Sequence, residues 1–86
     1  MRISDLVVIR RYVEETCAMN HVQAPSVIVD ECKASFNIES RVGIPDNDTI
    51  ERIVDCVAQE MGRKGWHVDV FADGRRITVA FKDCVP

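Results

Sequence analysis

The chain has 86 residues, a formal charge of −3 from 14 acidic and 11 basic side chains, and a 47% hydrophobic, 29% charged composition. A chain of this length buries roughly 60 to 65% of the surface it exposes when unfolded, which suits one modest core and a single domain over residues 1–86. The composition excludes a disordered or membrane-spanning class, and the mixed, mildly acidic charge disfavours indiscriminate attraction to phosphate polyanions.

The opening MRISDLVVIRRYVEE has no apolar run of export-signal length before Arg10 and Arg11 interrupt it, and no stretch of about 18 apolar residues follows. The expected location is therefore the cytoplasm, with no membrane partner. Leu6, Ile9, Val13 and Cys17 recur at spacings of three and four, flanked by Val8 and Tyr12, which predicts a helix over Ser4 to Met19. Ser4 is placed to cap it, Asp5 suits the positive end of its dipole, and Asn20 and His21 form its exit before Pro25.

Val27 to Ile38 carries two periods at once. Ile28, Cys32 and Phe36 fit a helical stripe, while Cys32, Ala34, Phe36 and Ile38 alternate with Lys33, Ser35, Asn37 and Glu39 over eight residues. The alternation favours a strand. Gly43, Pro45 and Asp46-Asn47-Asp48 then read as a loop, with Asp48 and Glu51 spaced as a capping box. Ile50, Ile53, Val54, Val57, Ala58 and Met61 form the apolar stripe of a second helix, Thr49 to Lys64. Asp48 with Arg52 and Glu60 with Lys64 are spaced as ion pairs, Arg63 suits the C-terminal end, and Gly62 and Gly65 offer the stop.

Trp66 to Phe81 reads as a β-hairpin turning at Asp73-Gly74. A two-residue loop there sets Phe71 opposite Arg76, Val70 opposite Ile77, Val68 opposite Val79 and Trp66 opposite Phe81. Trp66, Val68, Val70, Ile77, Val79 and Phe81 then share one face, while His67, Asp69, Phe71, Arg76, Thr78, Ala80 and Lys82 share the other. A lone hairpin is marginal in water, so another strand is needed. The expected fold is α+β in the order α-β-α-β-β: about three antiparallel strands packed against two helices. The strand near Cys32 to Ile38 is expected beside Ile77 to Phe81, a spatial order of 2-3-1.

Cys17, Cys32, Cys56 and Cys84 contain no C-x2-C pair, and without an export signal they read as reduced cysteines, three of them in apolar-periodic segments. Structural zinc sites draw donors in close pairs, and His21, His67 and the cysteines form none, so no metal and no cofactor is expected. Asp46-Asn47-Asp48 fails as a calcium loop, with Glu51 where Gly belongs and Val57 where a bidentate Glu is required. His67 and Asp69 on one outward face suit a solvated pair better than a catalytic one, and the expectation is a chain that is not an enzyme.

Arg63, Lys64, Arg75, Arg76 and Lys82, with Trp66 and Phe71 as stacking groups, are the material for nucleic-acid binding. They are split between the hairpin tip and its base, about 20 Å apart at roughly 3.3 Å per residue. That leaves a small nucleic-acid-binding protein as the alternative rather than the first reading. The first reading is a non-enzymatic protein-binding module. Phe71 is apolar and outward-facing beside Arg75 and Arg76, the residue types that anchor interfaces, with His67 and Asp69 on the same face. Shielding of Phe71 by Arg76 across the strands, or by the first helix, would remove that surface. A strand edge left open in so small a sheet offers a second route, to self-association or to capture of a partner's strand.

The ending GRKGWHVDVFADGRRITVAF, after an amphipathic helix, resembles the close of many small bacteriophage-encoded accessory proteins, in which a Lys-Gly-aromatic step leads into a short Asp-Gly hairpin. The resemblance spans roughly Thr49 to Lys82 and carries no functional residues. It implies a protein that binds a host protein, such as a component of a defence system, and inhibits or redirects it in the host cytoplasm. The single strongly acidic face of a DNA mimic is not present.

Overall fold

A computed structural model describes residues 2–83 of the chain. The elements run α1 (Ile3–Met19), β1 (Gln23–Val29), β2 (Lys33–Glu39), α2 (Asn47–Arg63), β3 (Val68–Asp73) and β4 (Arg76–Phe81). The α+β class is as expected, but the order is α-β-β-α-β-β and the antiparallel sheet has four strands, β1-β2-β4-β3. The expected strand is β2, and it does lie beside β4, so the order 2-3-1 holds with β1 added outside it.

Both helices end in the same way. In α1 the N–H of His21 donates to Ala18 and that of Val22 to Cys17, with His21 at a φ of 61°. In α2 the N–H of Gly65 donates to Gly62 and that of Trp66 to Met61, with Gly65 at a φ of 75°. This crossed pair of bonds closes a helix through one left-handed residue, a conformation that costs glycine nothing. The N-termini correct the expected caps. Ser4 lies inside α1, whose Arg2 N–H donates to the Asp5 carboxylate at 3.4 Å. Asp46, not Asp48, caps α2, accepting from the Thr49 N–H at 2.7 Å, so the helix starts two residues early. The expected Glu60–Lys64 pairing gives way to Glu60 with Arg63 at 3.0 Å, and Lys64 lies 5.4 Å from the Tyr12 ring centroid.

The core draws Ile9, Val13 and Cys17 from α1, Ile50, Ile53, Val57 and Met61 from α2, and Ala34, Phe36, Ile38, Ile77 and Val79 from β2 and β4. Strand alternation puts those five sheet residues on one face, so both helices cover that face. Ala58, expected in the stripe, is exposed, as is Cys56. Cys17 and Cys56 are free thiols, as expected, whereas Cys32 is disulfide-bonded rather than reduced; Cys84 lies outside the described residues. Among the described residues no helix is long and apolar enough to cross a membrane.

β1 was not expected. Its Pro25 sits at an irregularity between Gln23 and Ser26 where the ladder shifts, the position in which an edge strand tolerates a residue without an N–H. The Asp30 carboxylate builds the return into β2 by accepting from the N–H groups of Cys32 at 2.8 Å and Lys33 at 3.0 Å. These bonds hold its pKa below the usual carboxylate value, the Cys32 bond most.

The C-terminal hairpin is present with its register corrected by two. Asp73 faces Arg76, Ala72 faces Ile77, Phe71 faces Thr78, Val70 faces Val79 and Val68 faces Phe81. The turn is Gly74-Arg75 rather than Asp73-Gly74. Gly74 has a φ of 61° and Arg75 is not in the positive-φ region, the pattern of a turn with glycine first. A shift of two exchanges cross-strand partners but leaves each side chain on its face. Trp66 falls just before β3 and still packs on Phe81, ring centroids 5.9 Å apart.

Candidate functional site

With both helices on one side, the opposite face of the sheet is open. Its residues follow from the registers. Ile28 faces Ser35, Ser35 faces Thr78 and Thr78 faces Phe71, one row across all four strands. On one side of it runs Ser26, Asn37, Arg76 and Asp73, and on the other Lys33, Ala80 and Asp69.

The middle of the central row is closed and its ends are open. The Ser35 and Thr78 hydroxyls lie 2.9 Å apart and satisfy each other, and Thr78 is only 5% exposed although no helix covers it. Phe71 is 47% exposed at one end and Ile28 58% at the other. The rim is polar: the Asn37 amide donates to the Ser26 hydroxyl at 3.2 Å, and Lys82 Nζ lies 3.5 Å from Asp69. The row thus offers apolar side chains at its two ends, a self-satisfied hydroxyl pair between them and a rim of mixed charge. A polar, charged rim is usual around a protein-binding patch.

The sequence-predicted residues are placed as follows. Phe71 and Asp69 point outward from β3, and Arg76 points outward from β4. His67 just precedes β3, its Nδ1 3.1 Å from both Asp83 carboxylate oxygens. Arg75 occupies the turn. Arg76 and Asp73 close the hairpin opposite each other, so Arg76 is not the residue across from Phe71. The first helix lies against the other face. Among the described residues no cation–π contact joins Arg76 to Phe71.

Sequence reasoning missed Ile28, Ser35 and Thr78 as parts of one row. Alternation of Val27 and Val29 inward would have turned Ile28 outward, had the segment been read as two strands. It also missed Val42 and Ile44, 97% and 80% exposed on either side of Gly43. Nothing in a Gly-Pro loop pattern marks apolar residues as exposed.

Among the described residues no group of three or more His, Cys, Asp or Glu converges as metal ligands, and no buried side-chain polar atom lacks a hydrogen-bond partner. Burial pushes the Cys17 thiol up to about 11, with the Glu14 carboxylate adding to the effect, so the group stays protonated and unreactive. Shallow grooves lie away from the sheet face, one between the helices beside Tyr12, Met19 and Cys56 and another beside His21, Gln23 and Arg41. No protein-family model matches the chain, and no curated protein is similar to it.

Proposed function

We propose that the chain is a non-enzymatic protein-binding module that engages its partner through the open face of the sheet, with Phe71 as the anchor and Arg75, Arg76, His67 and Asp69 around it. One observation supports this above the others: Phe71 stands half-exposed on a face that no helix covers, in a row whose polar centre is internally satisfied. Burying that face costs no unpaired hydroxyl, while the ring offers apolar area. The resemblance of the C-terminal part to small phage-encoded accessory proteins supports a host protein as the partner, bound and modulated in the cytoplasm.

The test is affinity capture from the native cell, with the captured protein then measured against variants in purified form. Phe71→Ala is expected to weaken binding by about 2 kcal/mol or more, roughly thirtyfold. Gln59→Ala, exposed on α2, is expected to leave it unchanged. The opposite result, loss with Gln59→Ala and retention with Phe71→Ala, would place the interface on the helices and overturn the proposal.

A further inference from the structure

The sheet has two edges, β1 and β3, and they are chemically unlike. β3 carries Asp69 and Asp73, charges of the kind that keep an edge from pairing. β1, Gln23–Val29, carries no charge, and its Ile28 and Val29 are 58% and 43% exposed. We propose that the β1 edge pairs with the β1 edge of a second copy of this chain, antiparallel about a two-fold axis at Ile28.

The hydrogen-bond phase of the ladder decides which groups are free. The Asp30 N–H donates to the Lys33 carbonyl, so that pair is bonded, and bonded pairs alternate along an antiparallel ladder. Ile28 with Ser35 and Ser26 with Asn37 are therefore the bonded pairs, and their main-chain groups face β2. The N–H and C=O groups of Val27 and Val29 face away from the sheet.

A two-fold axis at Ile28 satisfies all of them. It sets Val27 against the partner's Val29 and Val29 against the partner's Val27, giving four N–H···O bonds. Val-Ile-Val reads the same in both directions, so the inward valines meet valines and Ile28 meets the partner's Ile28. The Ile28 pair is non-bonded, which brings the two Cα atoms to about 4.5 Å and the side chains into contact. The acids of the turn are kept apart, because Asp30 falls opposite Ser26 and Glu31 opposite Pro25 of the second copy. An interface in which each surface meets itself is what two-fold pairing requires. Pro25 and its irregularity end the pairing there and, by the symmetry about Ile28, limit it to Ser26–Asp30. The axis stands perpendicular to the sheet, so the helices of both copies lie on one side, and the two open faces join into one eight-stranded surface.

Sedimentation equilibrium on the wild-type chain tests this. The expected mass is twice that of the monomer. Ile28→Lys, on a side chain already exposed in the single copy, is expected to halve it without changing the circular dichroism spectrum. Phe71→Lys, at the far edge, is expected to leave the dimer intact, so this test is independent of the partner-binding role given to Phe71. Ile28→Cys in a Cys56→Ser background is expected to form a disulfide-linked dimer on mild oxidation, while Cys56→Ser alone does not. A wild-type chain that stays monomeric up to the near-millimolar range, a dimer that survives Ile28→Lys, or one that Phe71→Lys also dissociates would overturn the proposal.

Discussion

Phe36 and Phe71 are the same residue type on the same sheet, pointing to opposite faces, which makes them a controlled pair. Phe36 is 1% exposed on β2 beneath both helices, and Phe71 is 47% exposed on β3. Truncating Phe36 to Ala removes its transfer free energy and leaves a cavity in a core that cannot collapse freely, about 3 to 5 kcal/mol in all. Full burial of a Phe side chain contributes about 1.5 to 3 kcal/mol, and Phe71 realises roughly half of that with no cavity to add, so Phe71→Ala is expected to cost about 1 kcal/mol. The total stability of an 86-residue domain is about 4 to 13 kcal/mol, which Phe36→Ala can largely remove. The assay is urea denaturation followed by circular dichroism, with an unchanged m value for Phe71→Ala showing that the folded and unfolded states are otherwise preserved. In thermal scans Phe71→Ala is expected to lower the Tm by about 4 to 8 °C and Phe36→Ala by several times that. Equal losses for the two variants would show that Phe71 is packed as core, and the open-face reasoning would fail.

Two further outcomes follow from the titrating groups. The bond from the Thr49 N–H holds the Asp46 carboxyl below its usual 3.8, with a smaller contribution from Arg52. The folded pKa is therefore the lower one, so the stability it contributes is present above the unfolded value and is lost as pH falls through the folded value. Asp46→Asn, which keeps an acceptor without the charge, is expected to show a smaller fall in Tm between about pH 6 and pH 3 than the wild type. Among the free thiols, exposed Cys56 is expected to alkylate in the folded protein. Cys17, buried and with its pKa pushed up to about 11, is expected to react only after denaturation, which site-resolved mass spectrometry reads directly.

The helices and the C-terminal hairpin were legible because their periodicity is local and long: Ile9, Val13 and Cys17, or Ile53, Val57 and Met61, repeat far enough to outweigh alternatives. β1 was not legible. Pro25 reads as punctuation, and Ile28 shares helical spacing with Cys32 and Phe36, so a turn between two short strands looks like one segment of mixed period. The signal that separates them is Asp30, whose carboxylate ties the turn by binding two backbone N–H groups. The exposure of Cys56 was hidden for a different reason. The residue neighbours the stripe of α2 in sequence, but one step along a helix is about 100° around it, and Cys56 falls on the solvent side of Val57.

The candidate surface shows where pattern reading stops. Which face a side chain occupies depends only on parity, and a two-residue error in the hairpin preserves parity, so the outward direction of Phe71 was readable. Which residue stands across from it depends on the turn, and there the choice between Asp73-Gly74 and Gly74-Arg75 changes the answer from Arg76 to Thr78. An Arg across the strand could cover the ring with its long side chain, whereas Thr78 is short, buried at 5% exposure and already paired with Ser35. The corrected register thus takes away the nearest cover for Phe71. The full row to Ile28 depends further on β2 and β4 being neighbours although 36 residues lie between Glu39 and Arg76, a pairing that no local pattern encodes. Exposure of an anchor is local information, but the surface around it is a property of the assembled sheet.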